Sequence, residues 1–238
     1  MTSAHHGRTW TMTSIPDLKR KAKALARTSH IPHHQALDVV AQEQGFASWS
    51  LLSARRSTIF EPGDLVLLGA RPGQGKTLHG MRVLMDAVAE GRQGYFFTLE
   101  YTASDVIRRL RQIGADADAL GDRFILDMSD DISADYIIAQ TQNAPARSVV
   151  VVDYLQLLDQ RRSNAPLDQQ VGALRQHANK AQIIIVLISQ IDRSYEDSDA
   201  ALPDLRHVRL PNPLDLQYFT KTCFLNAGEI QISPLRPG

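Results

Sequence analysis

The sequence predicts an α/β fold, a mainly parallel sheet between helices, preceded by a small helical unit. Three observations predict it. From residue 64 onward, apolar segments of strand length alternate with amphipathic segments of helix length, the pattern of a parallel sheet covered on both faces. The runs Val149-Val150-Val151-Val152 and Ile183–Ile188 are apolar without a break, as strands buried on both sides are. At Asp64–Thr77 an apolar strand, a glycine-rich turn and a Lys-Thr pair opening a helix stand in immediate succession.

The 238 residues leave room for one large domain and a small one, and a hydrophobic fraction of 43% is ordinary for a globular chain. No apolar run approaches the roughly 18–20 residues of a membrane span, so no membrane contact is expected. Met1 to Thr13 has no apolar core like that of a signal peptide. The single Cys223 excludes an internal disulfide and fits a reducing cytoplasm, where it reads as a small buried strand residue. Net charge is zero but unevenly placed. Residues 1–57 carry eight Lys or Arg against three Asp or Glu, and residues 58–238 carry 18 against 23. A basic head on a mildly acidic body concentrates any electrostatic contact with nucleic acid at the head, although a solvated basic helix face explains the counts as well.

Taken in order, residues 1–13 read as a flexible tail. His5, His6, His30, His33 and His34 lack a convincing ligand set and read as surface histidines. Residues 14–57 read as a small basic three-helix unit. Leu18, Ala22, Leu25 and Ala26 fall at helical spacing after Pro16-Asp17. Pro32 opens a second helix striped by Ala36, Leu37, Val40 and Ala41, and Gly45 ends it. A third helix, from about Ser48 to Ala54, carries Trp49, Leu51 and Leu52. Such a unit buries too little surface to be very stable alone, so it is expected to dock on the main domain or on a neighbouring subunit. A helix-turn-helix DNA reader is the alternative.

Residues 58–238 form the second domain. Strands are expected at Leu65–Leu68, Gly94–Leu99, Phe124–Asp127, Ser148–Asp153 and Gln182–Ser189. Helices are expected from Lys76 to about Glu90, over Ala103–Ile113, Ala134–Gln142 and Leu167–Lys180. Ile191–Pro213 reads as a long loop, and Tyr218–Leu225 with Glu229–Ile232 as a closing hairpin around Asn226-Ala227-Gly228.

The segment Ala70-Arg71-Pro72-Gly73-Gln74-Gly75-Lys76-Thr77-Leu78 has the layout of a phosphate-binding loop. Backbone N–H groups of the turn and the positive end of the following helix face an anion. Lys76 would reach the β- and γ-phosphates of a nucleotide, and the Thr77 hydroxyl would hold Mg²⁺. The strict pattern G-x-x-x-x-G-K-[ST] is broken at one point. Its first glycine position holds Ala70, with Gly69 one residue early.

Three other strand ends carry polar residues, and in an open α/β sheet such ends converge on a ligand. Asp153 follows four valines, where an acidic residue can hold Mg²⁺ through water; a turn cap is the plainer alternative. Glu100 could orient and deprotonate an attacking water, or be an exposed strand-end glutamate. Gln190 could touch a γ-phosphate and pass its presence to the next loop, or simply cap the strand.

These residues make a resemblance recognisable. Gly69–Thr77 resembles the Walker A loop of the DnaB replicative helicase family, which also carries Ala at the first glycine position with Arg-Pro after it. Phe97-Thr98-Leu99-Glu100 resembles that family's strand ending in a catalytic glutamate. Val151–Leu158 resembles its Walker B segment, Leu187–Ser194 its sensor motif, and Asp204-Leu205-Arg206 its DNA-binding loop. The resemblance spans about Ile59–Arg206. It implies a RecA-like P-loop ATPase core using ATP and Mg²⁺, with Glu100 as catalytic base and Gln190 as the link from γ-phosphate to the DNA loop. It also implies single-stranded DNA as partner through Arg206, and a homo-oligomer, hexameric in the family. A replication or mobile-element protein is the further partner to expect. The loop Asp159–Pro166, with Arg161-Arg162, matches the family's first DNA loop in position, and its arginines either contact phosphates or are solvated.

Departures from the family are equally specific. His207-Val208-Arg209 stands where the helicases continue Glu-Ser-Gly, and the closing hairpin lacks the Lys-x-Arg of the finger that reaches a neighbour's γ-phosphate. Arg206, Arg209 and Arg236 are its weak substitutes. The expected activity is therefore ATP hydrolysis coupled to DNA binding. The alternative is a nucleotide-dependent switch with little turnover and no helicase activity. A clock-type ATPase of the same superfamily has no sequence feature specifically in its favour.

Overall fold

Six consecutive strands of one sheet run parallel because a helical segment or a long excursion carries the chain back between them. In chain order the strands are β1 (Thr9–Trp10), β2 (Leu65–Ala70), β3 (Gly94–Thr98), β4 (Phe124–Asp127), β5 (Val149–Asp153), β6 (Ile184–Gln190), β7 (Lys221–Asn226) and β8 (Glu229–Pro234). Across the sheet their order is β1-β8-β7-β2-β6-β5-β3-β4. All pairs from β7 to β4 are parallel, and β8 and β1 close the other edge in antiparallel register. The computed structural model describes residues 9–10, 15–44, 48–49, 52, 60–115, 120–161, 164–198, 200–210 and 212–235.

Side-chain alternation along each strand feeds two cores. Leu65, Leu67, Val150, Val152, Ile185 and Leu187 face α5 (Ala134–Thr141) and α6 (Leu167–Ala181). Val66, Leu68, Val149, Val151, Val186 and Ile188 face α3 (Lys76–Ala89) and α4 (Ala103–Gln112). Both faces being covered is why β2, β3 and β5 are buried at every position. Local chemistry sets the helix starts. Thr102 and Asp105 form a reciprocal capping box on α4, and the Ser133 hydroxyl accepts from the Tyr136 N–H to cap α5.

The N-terminal unit has its own small core. Leu18 and Ala22 of α1 (Ile15–Ser29) pack with Ala36, Val40 and Ala41 of α2 (His33–Glu43) and with Leu52. Lys21 pairs with Glu43 at 2.6 Å, and the Trp49 N–H donates to Asp38 at 2.8 Å. Among the described residues, the Arg20 guanidinium reaches the main domain and lies against Gly114, whose added Cβ would come within 2.6 Å of it. The expected Gly45 cap, most of the third helix, His5, His6 and Arg236 lie outside the described residues.

Two differences from expectation have physical causes. Thr9 and Trp10, in the segment expected to be a tail, pair with Gln231 and Ile230, because β8 otherwise presents unpaired edge groups. The excursion from Ile191 to Val208 is closed at its base by a bridge between those two residues, with Asp192 N–H donating to His207 O at 2.7 Å. Inside it, Asp192 and Asp204 cap the short turns Arg193–Asp197 and Leu205–His207. Asp side chains mimic a backbone turn in this way, so the loop is locally folded.

Candidate active site

The phosphate loop is shaped by two glycines. Gly73 and Gly75 take φ of +79° and +82°, and a Cβ at either would meet nothing within 4 Å. Backbone conformation is therefore what requires glycine here, and the space above the loop is open. The first helical bond of α3 runs from His79 N–H to Gly75 O, so the amides of the first turn, Lys76 to Leu78, have no helical acceptor. Ala70 resolves the irregular motif. It is the last residue of β2 and has no positive φ, so glycine is not needed there. Gly69 is needed for packing, since a Cβ would lie 2.8 Å from Phe224 Cε1 and 3.0 Å from Ile191 Cδ1.

Sheet register brings the polar strand ends together. Ala70 stands opposite Gln190 on one side and Leu225 on the other. Asp153 stands opposite Ile188 and Thr98. β6 thus separates the phosphate-loop strand from the Asp153 strand, and Gln190 projects from between them.

Asp153 is fully buried, and both its carboxylate oxygens lack a hydrogen-bond partner. Burial pushes its pKa up to about 6. The neighbouring Thr77 hydroxyl pulls the other way without satisfying either oxygen, Glu100 adds to the rise, and Lys76 and Arg109 oppose it. A buried, unpartnered carboxylate is costly unless a cation or proton meets it. Beside a buried Thr77 hydroxyl at a helix start, it is the donor set that suits Mg²⁺, which favours few carboxylates together with phosphate oxygens. These residues and the open glycine turn fit a triphosphate with its metal.

The family described as "ATPase: KaiC" matches residues 58–208, more than half of the chain. The chain belongs to the KaiC-type ATPase family. The chain also resembles replicative helicases. The chain is 24% identical over 190 residues to the replicative DNA helicase DnaB of Helicobacter pylori, covering 63% of this chain and 37% of that one. It is 40% identical over 73 residues to the circadian clock oscillator protein KaiC of Parathermosynechococcus lividus, covering 29% of this chain and 14% of that one. The chain thus spans well under half the length of these curated relatives. Among solved structures, a DnaB-like replicative helicase studied with primase superposes with a TM-score of 0.58 at 19% identity, over 87% of this chain and 65% of that one. The RecA-like fold and the likeness to DnaB-type helicases are therefore as the sequence predicts. The KaiC family name, for which the sequence offered no specific feature, covers the same motif-bearing segment.

In this KaiC-type ATPase, Glu100 lies just beyond β3, exposed, with its N–H bonded to Thr98 Oγ1 at 3.1 Å. Its charge is felt by Asp153, Tyr101 and Tyr154. Two residues that the sequence reading passed over stand beside it. The Tyr101 hydroxyl is 3.5 Å from Thr77 Oγ1, and the Arg109 guanidinium stacks 4.2 Å from the Tyr101 ring centroid.

The residues expected to meet DNA are placed separately. Arg206 is 83% exposed and pairs with Asp204 in its own turn at 2.7 Å. Arg161 pairs with Asp131, and Arg162 lies outside the described residues. The loop bearing Arg206 is instead joined to the phosphate loop by Arg71, which donates to Glu196 and to Ile191 O. Gln74 at the loop tip accepts from the Ala227 N–H of the β7–β8 turn at 2.8 Å. Among the described residues no group of three metal-ligating side chains occurs, and no helix is long and apolar enough to cross a membrane.

Proposed function

We propose that this chain binds ATP with Mg²⁺, hydrolyses it, and couples the cycle to single-stranded DNA. The observation that carries the reading is the Asp153 carboxylate, buried and unpartnered beside Thr77 at the start of α3. The amides of Ala70 to Leu78 would cradle the phosphates, with Lys76 on the β- and γ-phosphates. Thr77 and, through water, Asp153 would hold Mg²⁺, which when bound neutralises phosphate charge. Glu100 would accept a proton from the attacking water. Gln190 would touch the γ-phosphate and, from the end of β6, bias the loop that carries Arg206. Arg161, Arg162 and Arg206 would contact DNA phosphates. The working form would be a cytoplasmic homo-oligomer, a hexamer by resemblance, serving replication or a mobile element with a protein partner.

The test is nucleotide binding and steady-state hydrolysis with and without single-stranded DNA, for wild type and Lys76→Ala. Loss of binding or turnover in Lys76→Ala and stimulation of the wild type by DNA are expected. Unchanged hydrolysis in Lys76→Ala contradicts the site.

A second reading is a nucleotide-dependent switch without helicase activity. It is favoured by the ion pairs Arg206–Asp204 and Arg161–Asp131, which already neutralise the described arginines of both DNA loops. ATP binding with slow turnover and no response to DNA would select it.

A further inference from the structure

Arg209 is held at the phosphate end of the sheet by three contacts. Its N–H donates to Gln190 O at 2.9 Å, and its carbonyl accepts from Gln156 Nε2 at 3.1 Å. Its Nη1 lies 3.5 Å from Gln190 Oε1. Both main-chain groups of Arg209 are thus tied to the residues that end β6 and follow β5. The bridge between Ile191 and Val208 fixes the residue before it.

The guanidinium is exposed, and among the described residues no carboxylate pairs with it. At 3.5 Å the amide contact is at the outer limit of a hydrogen bond, so most of its donors remain available. Gln190, its neighbour, stands in register with Ala70 at the root of the phosphate loop. A cation there would stand near the γ-phosphate that Gln190 is read as touching.

We propose that Arg209 supplies positive charge to the γ-phosphate from within the same chain, with Gln190 as its positioning residue. The proposal rests on the reading of the site as an ATP hydrolase. In the step concerned, the water oxygen bonds to the γ-phosphorus and the bond from that phosphorus to the β–γ bridging oxygen breaks. ADP leaves with that electron pair, and the water proton passes to Glu100. Charge builds on the equatorial and leaving oxygens, where a guanidinium stabilises it. Arginines placed in this way are worth on the order of 10³–10⁵ in rate, whether supplied by the same chain or by a neighbour. A same-chain arginine makes turnover independent of a neighbour's finger.

The test compares wild type, Arg209→Ala and Arg209→Lys in kcat, in affinity for ADP and a non-hydrolysable ATP analogue, and in thermal unfolding. Arg209→Ala should lose at least about a hundredfold in kcat, bind ADP as wild type does, and bind the ATP analogue more weakly. Arg209→Lys should recover part of the rate. Wild-type kcat per chain should not change as protein concentration is raised. Wild-type kcat in Arg209→Ala overturns the proposal, and so does a wild-type kcat that climbs with concentration. A wild type that binds no nucleotide overturns the ATP reading and this proposal together. A wild type that hydrolyses ATP no faster than Arg209→Ala removes only the arginine.

Discussion

Arg71, the residue after the last β-strand position of the phosphate loop, grips Glu196 across 125 positions of sequence, with Nε and Nη2 on one carboxylate oxygen at 2.9 and 2.5 Å. The pair joins the loop that would hold phosphate to the excursion that carries Arg206. Because Glu196 is 61% exposed, the pair should be worth no more than about 1 kcal/mol to stability. Its consequence is for coupling. Glu196→Ala should leave the unfolding midpoint nearly unchanged and lower the stimulation of hydrolysis by single-stranded DNA several-fold. Parallel melts and ATPase assays check this, and full stimulation in the variant would show that the two loops act independently.

Two buried groups, Asp153 at the end of β5 and His79 on α3, give opposite acid responses. Asp153 has its pKa raised from 3.8 to about 6, so the metal-free fold binds this proton more tightly than the unfolded chain does. Its contribution is fully favourable below pH 3.8 and is lost as pH rises through 6. His79, buried in α3, is lowered from 6.5 to about 4 by desolvation and by Arg82. Its contribution is full above pH 6.5 and is lost as pH falls through 4. Each is worth on the order of 3 kcal/mol at most. Relative to wild type, Asp153→Asn should gain stability at neutral pH and give it back on acidification. His79→Gln should become relatively more stable as pH falls from 6.5 to 4. Urea unfolding across this range, without Mg²⁺ or nucleotide, reads both differences. Parallel curves for the three proteins would contradict the assignment.

The irregular glycine of the phosphate loop yields a third expectation. Gly69→Ala drives a methyl into Phe224 and Ile191, and overpacking of this kind costs about 1–3 kcal/mol. Ala70→Gly sits in extended strand, so it should cost only about 0.5–1 kcal/mol through chain entropy and leave nucleotide affinity intact. Denaturant midpoints and nucleotide titrations separate the two. A large loss of affinity in Ala70→Gly would show that this position shapes the phosphate cradle.

That motif shows how far the sequence could be read. The strands from Leu65, Gly94 and Val149 were legible because continuous apolar runs have one stable use in a parallel sheet, and Asp153, Glu100 and Gln190 because strand ends must converge. Arg71–Glu196 and Arg209–Gln190 were not legible. Both depend on how the excursion after β6 folds back, and that fold rests on Asp192 and Asp204 capping turns whose geometry spacing alone does not give. The role of Gly69 was hidden for a similar reason, since its partner Phe224 lies on a strand that is adjacent only in the sheet.

The most direct measurement is ATP hydrolysis by Glu100→Gln beside an independent measurement of MgATP binding. Glu100 is exposed and bears no structural ion pair among the described residues, so the amide should fold and bind as wild type does. Binding retained with kcat reduced by about 10²–10⁴, the typical contribution of a general base, is the predicted result. Wild-type turnover in Glu100→Gln would contradict the assignment of this strand-end cluster as an ATP-hydrolysing site.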